Sequence, residues 1–285
     1  MVYEHEIPSG SKLYFGESAK IKREIEFVSA ELLENLGFAE IVTPLFSYHQ
    51  HESFEDKKPL LRLNDEQNHE VTLRADSTAD VVRIVTKRLG RSTESKKWFY
   101  IQPTVTFPTK EQYQIGAEIL DGKFEEIAKT TIMLLDEMQM KPIMQIANIC
   151  IPHLLNEKYG VSLDALKSMH IEKIMAIDLP WIEKLVRLNA VEDLNDLSAF
   201  PEDIKVELEK IKIATEQVKY DTIVISPLFY AKMRYYDSLT FRMFKGNSLL
   251  AMGGIYTIEG VEAAGFALYT DECVMNKMDK GNEYE

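Results

Sequence analysis

The sequence has two cysteines, Cys150 and Cys273, in 285 residues. They are too few for a disulfide framework and form no CxxC pair, so a reducing cytoplasm is the expected setting. No stretch approaches the roughly 18 to 20 apolar residues of a membrane span. The opening MVYEHEIPSG is acidic and lacks an apolar run, so no signal peptide is expected. Basic side chains are scarce. Against 46 Asp and Glu stand 33 Lys and Arg, a net charge of −13 with a pI near 5.1. Such a field opposes polyanions and weighs against a nucleic-acid partner. No GxGxxG, P-loop, GxSxG or HExxH motif occurs, so neither a cofactor nor a metal is expected. The six histidines are scattered, and His49 with His51 reads as part of a solvated loop.

What is present is an ordinary globular composition, 45% hydrophobic and 28% charged. Ile21, Ile25, Val28, Leu32 and Leu33 recur at helical spacing, which predicts a helix over 16–36 stopped by Gly37. Strands are expected at 38–44, 60–65 and 69–75. A helix should run from the capping oxygens of Asp76, Ser77 and Thr78 to Arg88. Two long strands follow at 97–107 and 112–120, then a helix over 124–140 and a strand over 142–148. Residues 150–220 read as short helices divided by Gly160, Pro180 and Pro201, a helical insertion. Strands return at 222–228, 235–244 and 248–258, and 263–278 reads as a closing helix. The order predicts an α+β fold: a large, mostly antiparallel sheet flanked by helices. The core domain is discontinuous, 1–149 and 221–285. Met133, Met138, Met140 and Met144 read as core filler, and Trp98 and Trp181 as packing anchors.

The polar residues on strands carry the chemical signal. Gln114, Gly116 and Glu118 fall on one strand face at period two, an amide and a carboxylate over a glycine that leaves space. Asp76 lies at a strand end, and Tyr235, Tyr236 and Tyr256 lie on later strands. Together they could line an anionic pocket with aromatic walls for a small cationic or ammonium-bearing ligand. The same pattern also describes an ordinary strand whose Glu118 faces solvent. Gly253-Gly254 reads as a bulge or a close backbone approach.

In their order these pieces resemble the catalytic core of class II aminoacyl-tRNA synthetases, and the histidyl branch most closely. GFAEIVTPLF (37–46) is similar to motif 1, which implies a homodimer through residues 38–46. VTLRADSTADVVRIV (71–85) resembles the LRP(E/D)xT segment, with Asp76, Thr78 and Arg83 in its acidic, threonine and arginine positions. Residues 98–122 resemble motif 2 with its QxGxE strand. MRYYDSLTFRMF (233–244) resembles the double-tyrosine strand, LLAMGGIYTI (249–258) the AGGRYD strand, and GFALYTDE (265–272) motif 3. The resemblance implies a histidine pocket at Asp76, Thr78, Gln114, Glu118, Tyr235, Tyr236 and Tyr256.

The departures fall on the ATP side. Where the resemblance places phosphate-binding or activating arginines, the chain has Thr106, Ala231 and Glu272, and the motif 2 loop is cut to Phe107-Pro108-Thr109. Adenylate formation needs fixed cations on a phosphate chain, so no aminoacyl-tRNA synthesis and no enzyme activity is expected. A histidine pocket without the ATP arginines resembles the regulatory subunits of ATP phosphoribosyltransferase. That resemblance implies a short-form catalytic subunit as partner, in histidine biosynthesis, with L-histidine as ligand. Two alternatives stay open: a stand-alone pseudo-synthetase acting as scaffold or amino-acid sensor, and an amino-acid ligase using Arg83, Arg234 or Arg242 as phosphate cations.

Overall fold

The computed structural model describes residues 6–54, 56–231, 233 and 235–282. The chain opens with α1 (Gly16–Asn35), β1 (Ala39–Glu40), β2 (Phe46–Ser47), α2 (Gln50–Ser53), β3 (Arg62–Asn64) and β4 (Glu70–Leu73). Then come α3 (Thr78–Ile84), which widens into a π-helical turn over Val85–Leu89, β5 (Lys97–Thr106), β6 (Lys110–Leu120), α4 (Phe124–Glu137) and β7 (Ile143–Asn148). The helices α5 (Cys150–Tyr159), α6 (Leu163–Lys167), α7 (Ile171–Met175), α8 (Ile182–Arg187) and α9 (Glu202–Val218) follow. Last are β8 (Ile223–Ile225), β9 (Tyr236–Lys245), β10 (Ser248–Ile258), β11 (Val261–Tyr269) and α10 (Thr270–Asn282).

Among the described residues, eight strands form one sheet in the order β1-β5-β6-β11-β10-β9-β7-β8, and β2, β4 and β3 form a small second sheet. The β1–β5 and β7–β8 pairs are parallel and the other pairs of the large sheet antiparallel. The expected α+β architecture is therefore present.

The register gives the large sheet two faces of opposite chemistry. One row across it reads Phe99, Ala117, Phe266, Gly253, Phe241 and Ile146, each residue paired with the next. From Phe99 to Phe241 large and small side chains alternate, so the rings have room between them. A Cβ on Gly253 would stand 2.7 Å from Phe266 Cβ and 2.8 Å from Phe241 Cζ. Helix α4 packs on this face, with Phe124 edge-on to Phe241 at 5.9 Å between ring centroids. The adjacent row, one residue along and pointing the other way, reads Tyr100, Gly116, Ala267, Met252, Arg242 and Gln145. This polar face is where α3 settles, against β6, β10 and β11.

Three local expectations are corrected and one is refined. Residues 263–278 do not form one helix: β11 runs through Tyr269 and α10 begins at Thr270. The Ala-rich run AAGFAL hid a strand, because a strand buried on both faces lacks polar alternation. The strand expected over 38–44 is reduced to Ala39–Glu40. The helix expected through Arg88 does run that far, its last turn a wide π-helical one in which the Thr86 hydroxyl bonds back to Val82 O at 2.7 Å. Met133 faces outward, while Met138, Met140 and Met144 are core residues.

Residues 150–218 fold as helices whose apolar side chains join the sheet's own core cluster. Trp181 stands edge-on to Tyr159, 4.9 Å between centroids, and packs beside Phe200. Both tryptophans, Trp98 and Trp181, are buried. Replacing Phe241 with alanine should cost about 3–5 kcal/mol, by the cost of truncating a buried phenylalanine. Urea unfolding measures it, and a loss below about 1 kcal/mol would contradict the packing described.

Candidate functional site

A cavity of about 470 Å³ opens on the polar face. Asp76, Thr78, Gln114, Tyr235 and Tyr236 line it, as does Thr106. Asp76 lies just before α3, where its Oδ1 accepts the Ala79 N–H at 3.1 Å and its Oδ2 accepts the Tyr235 hydroxyl at 3.0 Å. The backbone there is clamped by a residue that sequence reasoning passed over. The Gln50 side-chain oxygen accepts the N–H groups of Ala75 and Asp76 at 3.0 and 2.7 Å. Its amide nitrogen donates to Asp76 O at 2.8 Å and to Asp80 Oδ2 at 2.6 Å. A buried amide thus satisfies three backbone groups and a carboxylate, and it holds Asp76 at the cavity wall. No local motif marks Gln50; its role comes from contacts to residues 25 or more positions away.

Glu118 and Tyr256 lie deeper than expected. Both are fully buried, at 0% exposure, beneath α3 and outside the cavity lining. The Tyr256 hydroxyl donates to Glu118 Oε2, and Glu118 Oε1 has no hydrogen-bond partner among the described residues. The solvent-facing reading of Glu118 is therefore wrong, because α3 covers its strand. Gly116 does not leave room for a ligand either: a Cβ there would meet Tyr100 Cζ at 2.2 Å. Gly265 does the same for Glu118, since a Cβ would lie 1.6 Å from Oε2. Tyr235, Tyr236 and Tyr256 form one cluster with centroid separations of 5.0, 5.3 and 6.1 Å.

Burial sets the charge of the site. It pushes the Asp76 carboxyl up to about 6, against the opposing bonds from Ala79 and Tyr235. It pushes Glu118 up to about 8, against the Tyr256 hydroxyl. Both carboxyls are therefore harder to ionise than free ones, Glu118 more so than Asp76. An electronegative wall of this kind, with the Gln114 amide and tyrosine rings, suits a small molecule carrying an ammonium or another N–H donor.

Of the positions expected to have lost cations, only Thr106 lies on the cavity. Ala231 is buried outside its lining, and Glu272 lies in the first turn of α10. Arg83 turns into a nest of Glu52, Asp80 and Glu259 and does not line the cavity. Arg234 lies outside the described residues. Arg242, whose plainest reading is surface charge on a half-exposed strand, lines the cavity with Lys110, Gln112 and Thr104. The signal was present: Lys110 and Gln112 continue the period-two face of Gln114 and Glu118. Among the described residues no group of three His, Cys, Asp or Glu side chains could hold a metal ion.

The description "Histidyl-tRNA synthetase" belongs to the family model that matches residues 15–273. A protein of Wolinella succinogenes, the ATP phosphoribosyltransferase regulatory subunit, is 44% identical over 99% of both chains. The protein of that name in Helicobacter hepaticus is 40% identical over 96% of this chain and 98% of its own. The chain belongs to the ATP phosphoribosyltransferase regulatory subunits, within the wider histidyl-tRNA synthetase family. A histidine–tRNA ligase of Mesomycoplasma hyopneumoniae is more distant, 25% identical over 73% of this chain and half of its own. The fold is shared with a solved ATP phosphoribosyltransferase regulatory subunit/histidyl-tRNA synthetase from Bacillus halodurans. The TM-score is 0.84 at 20% identity, over 96% of this chain and 83% of that one.

Two outcomes follow for this family member. The folded Glu118 holds its proton up to about pH 8, whereas an unfolded carboxyl releases it near 4.5. Stability attributable to this group is therefore highest at low pH and falls as pH rises through that window. The slope is at most about 1.4 kcal/mol per pH unit. Glu118→Gln should gain on wild type between pH 5 and pH 8 in urea unfolding, whereas parallel profiles would contradict the burial argument. Gly265→Ala should lose about 1–3 kcal/mol from overpacking against Glu118. Thermal unfolding checks it, and an unchanged midpoint would mean the carboxyl does not lie over that glycine.

Proposed function

We propose that the chain is the non-catalytic regulatory subunit of ATP phosphoribosyltransferase in histidine biosynthesis, acting on a separate short-form catalytic subunit. We further propose that L-histidine is its ligand, held in the Asp76–Gln114–Tyr235 cavity. The observation that carries the reading is end-to-end similarity, at 44% identity, to a protein of that name. The cavity supports it. Asp76, Gln114 and the tyrosines are suited to ammonium and imidazole N–H groups, and Glu118 with Tyr256 forms a polarisable layer beneath them. Thr106 stands on the wall where activation of an amino acid would need a fixed cation.

Pairing of two copies through residues 38–46 belongs to the same proposal. Val42, Leu45 and Phe46 are 74, 41 and 56% exposed, an apolar run more typical of an interface than of a free surface.

Reconstitution tests the reading. Adding this chain to a short-form catalytic subunit should raise its turnover several-fold and make that turnover sensitive to L-histidine. Asp76→Asn should keep the activation and lose most of the histidine sensitivity. Turnover that ignores both the added chain and histidine would overturn the proposal.

A further inference from the structure

Three buried or half-buried arginines on this side of the molecule are held in different ways. Arg74 is satisfied by the backbone oxygens of Thr43, Pro44 and Pro103. Arg83 is ringed by Glu52, Asp80 and Glu259. Arg242 is different. Its Nε and Nη2 both donate to the single neutral oxygen of Gln145, the former at 2.8 Å. Its guanidinium stacks on Phe229, 3.8 Å from the ring centroid, with Phe244 at 5.0 Å. No carboxylate among the described residues pairs with it, yet it is half-buried and lines the cavity. A guanidinium withdrawn from water is stabilised by an anion, and a planar fork fixed by an amide and a ring is prepared to bind one.

We propose that Arg242 binds the carboxylate of the amino acid held in this cavity, opposite the Asp76–Tyr235 end that takes its cationic groups. This rests on the histidine reading above and assigns a specificity residue within it. The sheet register supports the placement. Arg242 pairs with Met252, and Tyr236 with Tyr256 four residues further along β10, so Arg242 and Tyr236 are about 14 Å apart along the strand. Three strand spacings, again about 14 Å, separate Arg242 from Gly116 on β6. Met252 and Ala267 fill the floor between them with uncharged side chains. Long side chains reaching inward from both ends leave room for a molecule of amino-acid size, with its negative end at β9 and its positive end at Asp76. The position where the synthetase resemblance places an activating arginine is Ala231, outside the lining. Among the described residues the guanidinium on this wall comes instead from the outward row of β9, with Lys110 of β6 also on the lining, and we assign it a carboxylate and not a reacting phosphate.

The test compares L-histidine with histamine, which has the same imidazole and amine but no carboxylate, by titration calorimetry on the full chain. Wild type should prefer L-histidine by on the order of tenfold to a hundredfold, the range of a charge-assisted hydrogen-bond pair. Arg242→Gln should erase that preference while leaving histamine affinity within about twofold, which also shows that the variant pocket is folded. Equal affinities in wild type would overturn the inference without need of a variant, as would a preference that survives Arg242→Gln. Histidine and histamine bound alike removes this inference and leaves the histidine reading standing. Binding of neither removes both.

Discussion

A carboxyl group buried at the middle of the sheet is the constraint on which the site depends. Glu118 lies on β6, beside the sheet's centre, at zero exposure, and an ionisable group in such a place must be neutral, paired or both. Its neighbours meet that demand. Tyr256 donates from β10, Gly265 on β11 keeps clear of its oxygens, and α3 closes over it with Val81, Val82 and Ala79. Because β6, β11 and β10 are adjacent, one register sets all these relations together. A slip of one residue would send Glu118 into the phenylalanine row and Phe266 into the pocket.

The same register explains why the molecule has an apolar core and a polar cavity on opposite sides of one sheet. Rows one residue apart point to opposite faces, so Phe99, Phe266 and Phe241 face the helices while Gln114, Tyr269 and Arg242 face the cavity. Small residues do the spacing on both sides. Gly253 admits two phenylalanine rings, and Gly116 admits the ring of Tyr100.

Charge is placed as selectively as shape. Arg74 and Arg83 are consumed by structure, the first tying the segment before β2 to β5, the second binding α2 to the β10–β11 turn. The cavity retains a carboxylate at Asp76 and a guanidinium at Arg242. Lys110 adds a second cation on the same lining, so charge of both signs faces the cavity. On the proposed reading, a threonine at 106 beside a retained Asp76 is what a subunit that recognises an amino acid without activating it would keep.

Much of this was legible in the chain. The helical spacing of Ile21, Ile25 and Leu32, the period-two face of Gln114 to Glu118 and the order of the motifs determined the fold class and the family. They also determined which polar residues share a face, because local periodicity is written in neighbouring residues. Other features were decided only by tertiary structure. AAGFAL became a central strand because neighbouring strands cover both its edges and helices cover both its faces. Glu118 and Tyr256 are fully buried because α3 lies over them. Gln50 became the clamp on Asp76, and Arg242 part of the cavity wall, through contacts between residues distant in the chain. Spacing records which way a side chain points; what lies above it depends on how the chain folds back.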